Sequence, residues 1–348
     1  MILIEKVKNT FQEFWKKGCG SISAEEAFLN NRHLLLKRKK TILKGGVRLS
    51  LKEEQSLLKD AMSTQGFIGI IPLRCKLGEY YFLDLSDDHV ARHIFWLGCF
   101  GYERSSAVLF THLAMKANYV LDLGSYTGYF AVLSSVLAKN SNTYAVEANP
   151  LNFHRLCENL RINGADATPY HSALTPSNDG KDTITIFYNA GIPVLDTGSF
   201  ALHELAELIP QKSNKKDSFI VPAISFSSLM EKFAISGMEK KSYALIKLDI
   251  EGLEVPLLSD IVSYYSGCNF IVFVEILSAA AYESFFSLIN SCDDLCIAYI
   301  NEYKREIILH NHSEYRRQKG SRNFILGSKE LVQNVCNISL GKLLSKYE

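Results

Sequence analysis

The chain of 348 residues can hold one large domain or two small ones, and its 47% apolar content supports a sizeable core. A formal charge of +1 and a pI near 7.6 give no global field for a polyanion, so nucleic acid is not expected as a partner. The eight cysteines include no C-x-x-C pair and no cysteine–histidine spacing of a zinc site; they read as reduced thiols of a cytoplasmic protein, with Cys157 and Cys296 filling the core.

The opening stretch MILIEKVKNTFQEFWKKG has apolar residues at helical spacing and no small-residue cleavage site, so it lacks a targeting pattern. Ile4, Val7, Phe11 and Phe14 form one helix face, suited to docking on the protein's own core or, less commonly, on a membrane surface. No apolar run approaches the about 20 residues of a membrane span. Residues 1–83 read as a largely helical auxiliary region without recognisable chemistry. Lys37-Arg38-Lys39-Lys40 follows Leu34-Leu35-Leu36 and is better read as a solvated helix end than as a phosphate patch. Gly45-Gly46 marks a break. After Gly78, YYFLDLS reads as a strand, and residues 87–101 form an amphipathic segment leading to Tyr102 and Glu103.

The rest of the chain is organised around residues 119–130, YVLDLGSYTGYF. Tyr119, Val120 and Leu121 have the character of a buried parallel strand, closed by Asp122 before the turn Gly124-Ser125-Tyr126-Thr127-Gly128 and a helix. Glycines there let a ligand lie against the backbone while the amides opening the helix face it. The spacing D-x-G-x-x-x-G lacks the middle glycine of the dinucleotide fingerprint, and Tyr126 in its place argues against NAD or FAD and for a ligand without phosphates, such as S-adenosylmethionine. Packing alone also explains such a turn. The second strand, residues 142–146, decides between them: it ends in Glu147, about 20 residues past the turn, where a ribose-binding acid belongs. Capping of the helix beginning near Pro150 is the alternative use of Glu147.

Strands and helices then alternate, the pattern of a mostly parallel sheet covered on both faces. A helix over 151–163 packs through Phe153, Leu156, Leu160 and Ile162, and 168–173 is a third strand carrying His171 and Ala173. Residues 183–189 and 219–225 are short strands, and the loop 191–205 between them is placed to cover a pocket. A helix resumes over 227–233. The strand 243–250, YALIKLDI, has one lysine and runs into Glu251-Gly252; alternation in an extended segment points Asp249 and Glu251 the same way, with Ile250 turned back. The strand 269–276 carries Glu275 near its end. The last strands, 295–301 and 322–327, flank a polar arm with Arg316, Arg317 and Lys319.

VLDLGSYTGYF, YAVEANP, CENLRIN, SALTPSN, IKLDIEGLE and FVEIL, in this order and spacing, resemble the FkbM family of S-adenosylmethionine-dependent methyltransferases. The resemblance covers roughly residues 84–277 and rests on LDLGxxxG combined with K-x-D-x-E-G-x-E. Ser125-Tyr126-Thr127 and Ala148-Asn149-Pro150 depart from the family's usual versions. The resemblance implies an α/β, Rossmann-like class I methyltransferase with a seven-stranded, mostly parallel sheet and helices on both faces, preceded by the N-terminal extension. The expected division is 1–83 auxiliary, 84–330 methyltransferase and 331–348 a helical tail.

The implied reaction is O-methylation of a hydroxyl on a sugar, glycan or small-molecule metabolite. The expected donor site comprises Asp122, Gly124, Ser125, Tyr126, Thr127, Gly128, Glu147, Ala148, Asn149 and Ala173. Asp249, Glu251 and His171 are the base candidates, although His171 also fits a satisfied histidine at a strand end. Glu275, Arg316 and Arg317 are expected at the acceptor, the arginines suiting an anionic one. No metal is assigned; Asp249, Glu251 and Glu275 holding Mg²⁺ is the alternative use of that acid group. A non-catalytic interaction protein that keeps the fold is disfavoured by the intact acids Asp122, Glu147, Asp249 and Glu251.

Overall fold

A computed structural model describes residues 29–38, 56, 66–177, 179–189, 216–235, 243–250, 252–276, 279–302, 304–310 and 323–348. A helix over 29–38 precedes the hairpin β1 (Ile68–Cys75) and β2 (Gly78–Leu85), then α1 (His89–Leu97) and α2 (Arg104–Ala114). The alternating part follows: β3 (Tyr119–Leu123), α3 (Tyr129–Val132) continued by a π-helical turn, β4 (Thr143–Glu147), α4 (Pro150–Asn163) and β5 (Ala167–His171). Next come β6 (Ala173–Thr175), β7 (Thr183–Asn189), β8 (Lys216–Ser225), α5 (Phe226–Lys232), β9 (Tyr243–Leu248), α6 (Glu254–Tyr264), β10 (Asn269–Glu275) and α7 (Ala279–Asn290). The chain closes with β11 (Leu295–Asn301), β12 (Glu306–Leu309), β13 (Asn323–Ser328), α8 (Lys329–Cys336) and α9 (Leu340–Tyr347).

The central sheet has the order β12-β11-β13-β10-β9-β3-β4-β5, with β10, β9, β3, β4 and β5 mutually parallel and β13 antiparallel to both its neighbours. Seven of these strands match the expected sheet, and β12, a four-residue strand against β11, adds an eighth at the edge. The chain moves outward from β3 to β5 and then returns to lay β9 on the other side of β3. That reversal opens a crevice at the carboxyl ends of β3 and β9.

Period-2 alternation divides the core between the two faces. On β3, Val120 belongs to the cluster that includes residues of the hairpin and of helices α1 to α4, α8 and α9, while Leu121 and Leu123 belong to the cluster with α5, α6 and α7. On β9, Leu245 faces the first cluster and Ala244, Ile246 and Leu248 the second, which places Lys247 with the first. Asp122 and Lys247 are register partners on adjacent strands, two polar side chains set side by side on the face of the first cluster.

The sequence reading differs from the structure in several elements. Residues 168–173 are two strands, because the chain turns at Ser172; β6 leaves the central sheet to pair with β8, and β7 completes a separate three-stranded sheet. β9 ends at Leu248 rather than at residue 250. The strand β1 was not anticipated, and the division expected at 83/84 falls inside β2, whose Tyr81 and Leu83 amides are bonded by Asn163 and Asn159 of α4 at 2.8 Å each. Arg38 lies over the Phe95 ring at 4.9 Å and Lys37 over Trp96 at 5.6 Å, so the described half of the basic run caps aromatic rings of α1. The apolar N-terminal face at Ile4, Val7, Phe11 and Phe14, Gly45-Gly46, the loop 191–205, Glu251 and the arm with Arg316, Arg317 and Lys319 lie outside the described residues. No described helix is long and apolar enough to cross a membrane.

Candidate functional site

The glycine turn is built by close approach of two backbones. The amides of Gly124 and Ser125 both donate to the Val146 carbonyl at 2.9 Å, and the Asp249 amide donates to Leu123 at 2.9 Å. Gly124 sits at φ 82, and a Cβ there would lie 1.8 Å from the Asp249 carbonyl oxygen. Gly128, at φ 88, would place a Cβ 2.5 Å from the Leu156 side chain. Between them Tyr126 takes φ 50, an uncommon left-handed conformation for a bulky residue.

Glu147 holds that conformation. Its Oε2 accepts from the Tyr126 amide at 2.8 Å and its Oε1 from the Asn149 amide at 2.7 Å. Asn149 in turn caps α4 by accepting from Leu151, so the helix cap is Asn149 and the acid shapes the turn. Burial pushes the Glu147 carboxyl up to about 7 against the opposing pull of those two amides. A carboxylate has about four acceptor positions, so two bonds to backbone leave capacity for a ligand.

At the end of β9, Lys247 Nζ donates to Asp249 Oδ2 at 2.9 Å, stands 3.9 Å from Glu103 and lies over the Phe130 ring at 5.3 Å. Burial alone would lower this lysine; Asp249, Glu103 and Glu275 outweigh it, so the ammonium is held protonated. Glu103, at the N-cap of α2 with φ 40, is raised to about 8 by burial, with Lys247 opposing and the neighbouring acids adding. Asp122 is raised to about 7 by burial, again against Lys247, and its Oδ2 is buried without a hydrogen-bond partner. After Asp249 the loop is turned by Glu254, whose carboxylate accepts from the Ile250 and Gly252 amides.

The glycine turn, Asp122, Glu147, Lys247 and Asp249 meet around one cavity of about 390 Å³ at the carboxyl ends of β3, β4, β9 and β10. Of the expected residues, Asp122, Gly124, Ser125, Tyr126, Glu147, Ala148, Ala173, Asp249 and Glu275 line it. Thr127, Gly128 and Asn149 stand behind the wall: the Thr127 carbonyl accepts from Asn159 at 2.8 Å, Gly128 packs on Leu156 and Asn149 caps its helix. His171 is not brought in; its Nε2 engages the Ala148 carbonyl at 2.9 Å and its ring stacks on Phe153. Glu251, Arg316 and Arg317 lie outside the described residues. Among those residues no group of three His, Cys, Asp or Glu is arranged to hold a metal ion.

The lining also includes residues not anticipated. Lys247 had a signal, since a lone charge in a buried strand needs a partner. His89 and Tyr102 lie in DDHV and Gly101-Tyr102-Glu103, which resemble the family's entry segment, but only the packing of α1 and α2 brings them to the cavity.

Residues 122–307, more than half of the chain, match the family described as the methyltransferase FkbM domain. The chain belongs to the FkbM methyltransferase family. The family match begins at Asp122, so His89, Tyr102 and Glu103 of this FkbM protein are contributed from outside the matched segment. Among solved structures, similarity extends to a SAM-dependent methyltransferase from Agrobacterium tumefaciens, with 10% identity, 74% of this chain and 70% of that chain covered and a TM-score of 0.36. An O-methyltransferase from Bacillus cereus in complex with SAH shares 11% identity over 65% of this chain and 81% of that one, with a TM-score of 0.32. At these scores neither likeness bears on function. No curated protein sequence matches the chain.

Proposed function

We propose that this FkbM protein is a cytoplasmic S-adenosylmethionine-dependent O-methyltransferase acting on a hydroxyl of a sugar, glycan or small-molecule metabolite. The observation that carries the reading is a cavity lined together by the glycine turn, Glu147 and the Lys247–Asp249 pair. The residues fit the donor. Gly124 leaves space that a Cβ would fill, Asp122 presents a buried oxygen without a partner, and Glu147, which accepts from two amides and the Asn152 side chain, retains acceptor capacity for a ribose hydroxyl. Tyr126, where a dinucleotide site has glycine, disfavours NAD. The seven described cysteines are free thiols, which agrees with a reducing compartment.

The bound donor supplies an electrophilic methyl group on sulfur. Alignment of the acceptor oxygen then provides much of the rate, and a base adds typically about 10²- to 10⁴-fold. Asp249 is the candidate base. Lys247 fixes one of its oxygens, which leaves the other for an acceptor hydroxyl. Glu275, on the same rim, is the candidate acceptor contact.

Calorimetry tests the reading: S-adenosylmethionine and S-adenosylhomocysteine should bind and NAD should not. Saturable NAD binding with no heat from either methyl-donor species would overturn it.

A further inference from the structure

Cys75 and Cys99 are brought together by different elements. Cys75 closes β1, pairs in register with Gly78 across the short turn of the hairpin and is half-buried. Cys99 is buried and follows Gly98, the residue that ends α1 at φ 89. The hydroxyls of Tyr80 and Tyr129 both donate to the Cys99 carbonyl, at 2.7 and 2.9 Å, which fixes the backbone there. The two side chains meet, and the Cys99 thiol donates a hydrogen bond to the Cys75 sulfur. That bond pushes Cys75 down to about 6, burial opposing it and the Leu77 and Gly78 amides adding to it, so Cys75 is largely thiolate at neutral pH. Cys99 is pushed up by the same bond and by burial, and keeps its proton. Burial pushes Cys157, Cys296 and Cys336 up as well, the behaviour of thiols that only fill space.

A half-buried thiolate in contact with a buried thiol is the arrangement of a redox-responsive pair, in which one sulfur is oxidised and its neighbour resolves it. We propose that Cys75 and Cys99 are a peroxide-responsive dithiol, oxidised at Cys75 and closed by Cys99 into a reversible disulfide between the hairpin and the end of α1. The Cys75 thiolate attacks one oxygen of the peroxide, the O–O bond breaks, and the departing hydroxide takes a proton and leaves as water, with a sulfenic acid on Cys75. The Cys99 sulfur then attacks the Cys75 sulfur, the S–O bond breaks, and the departing hydroxide takes the Cys99 proton as a second water. The pair loses two electrons and one peroxide gains them. Exchange with reducing thiols restores both cysteines, as a transient disulfide in a reducing compartment requires. Tyr129 lines the cavity while its hydroxyl holds the Cys99 carbonyl, so the dithiol stands one hydrogen bond behind the cavity wall.

The test uses the reduced full chain, treated with equimolar hydrogen peroxide, blocked with iodoacetamide, digested and read by mass spectrometry without reduction. A peptide pair joined through Cys75 and Cys99, lighter than the separate peptides by two hydrogen atoms and abolished by dithiothreitol, is expected. In Cys99→Ser the sulfenic acid has no resolving thiol, so dimedone present during oxidation should label Cys75; in Cys75→Ser the linked pair should vanish and Cys99 should be recovered as a thiol. Melting temperatures confirm that both variants are folded. Recovery of Cys75 and Cys99 as thiols while other cysteines are oxidised would overturn the proposal. So would sulfinic acid on Cys75 beside an unreacted Cys99 in the parent, or dimedone in Cys99→Ser on cysteines other than Cys75.

Discussion

At Gly124 the conformation and the space agree on one residue. An alanine there adds a left-handed strain of roughly 1–2 kcal/mol and places its Cβ 1.8 Å from the Asp249 carbonyl oxygen, so the turn or the β9 loop must move. Gly124→Ala should lower the denaturation midpoint and abolish donor binding, both read on one preparation by urea titration and calorimetry. A different residue-scale effect comes from Asp84, fully buried and raised well above the usual carboxylate range by burial and then by Asp88 and Asp87. Its folded pKa exceeds the unfolded one, so its contribution is fully present below the unfolded value of about 3.9 and is lost as pH rises through the folded one. Asp84→Asn retains an acceptor for the Ser86 amide, bonded at 2.8 Å. Between pH 5 and pH 8 the parent should lose more stability than this variant, and identical slopes in the two denaturation series would show that Asp84 is not held neutral.

At the scale of elements, α4 ties the glycine turn to the hairpin through Asn159, which accepts from Leu83 of β2 and donates to Thr127. Asn159→Ala orphans a buried amide and a buried carbonyl, at about 1–3 kcal/mol each, and should weaken donor binding although Asn159 does not line the cavity. A thermal melt with and without S-adenosylmethionine separates the two effects. β9 makes a similar demand. Lys247→Met leaves Asp249 and Glu103 as acids without their ammonium, and removal of one partner of a buried pair typically costs about 3–5 kcal/mol. Urea denaturation should show a loss of that size at pH 8 and a smaller one at pH 6, where Glu103 is predominantly neutral. A loss independent of pH would assign the effect to packing over Phe130.

Across the whole molecule, the last helix closes the core begun by the hairpin. Tyr347 accepts from the Lys76 amide at 2.8 Å, its hydroxyl meets His112 of α2, Glu348 pairs with Arg104, and Leu340, Leu343, Leu344 and Tyr347 are buried. Fully burying each of those side chains is worth about 1.5–3 kcal/mol, comparable in sum with the total stability of a domain. Deleting residues 339–348 should abolish the cooperative melt followed by circular dichroism; a deletion that melts like the parent would make α9 an accessory. What the sequence by itself determined was local. Continuous apolar runs specified the strands β3, β9 and β10, the glycine spacing specified the tight turn after β3, and Glu147 was placed at the end of the next strand by its distance from that turn. Only the tertiary structure decided that Lys247 stands beside Asp122, that His89 and Tyr102 reach the cavity while His171 turns away to Ala148, and that β6 leaves the central sheet. Strand and turn signals arise from neighbours in the chain, whereas the partner of a buried charge depends on which strands are laid side by side, and that order is set by packing between residues far apart in sequence.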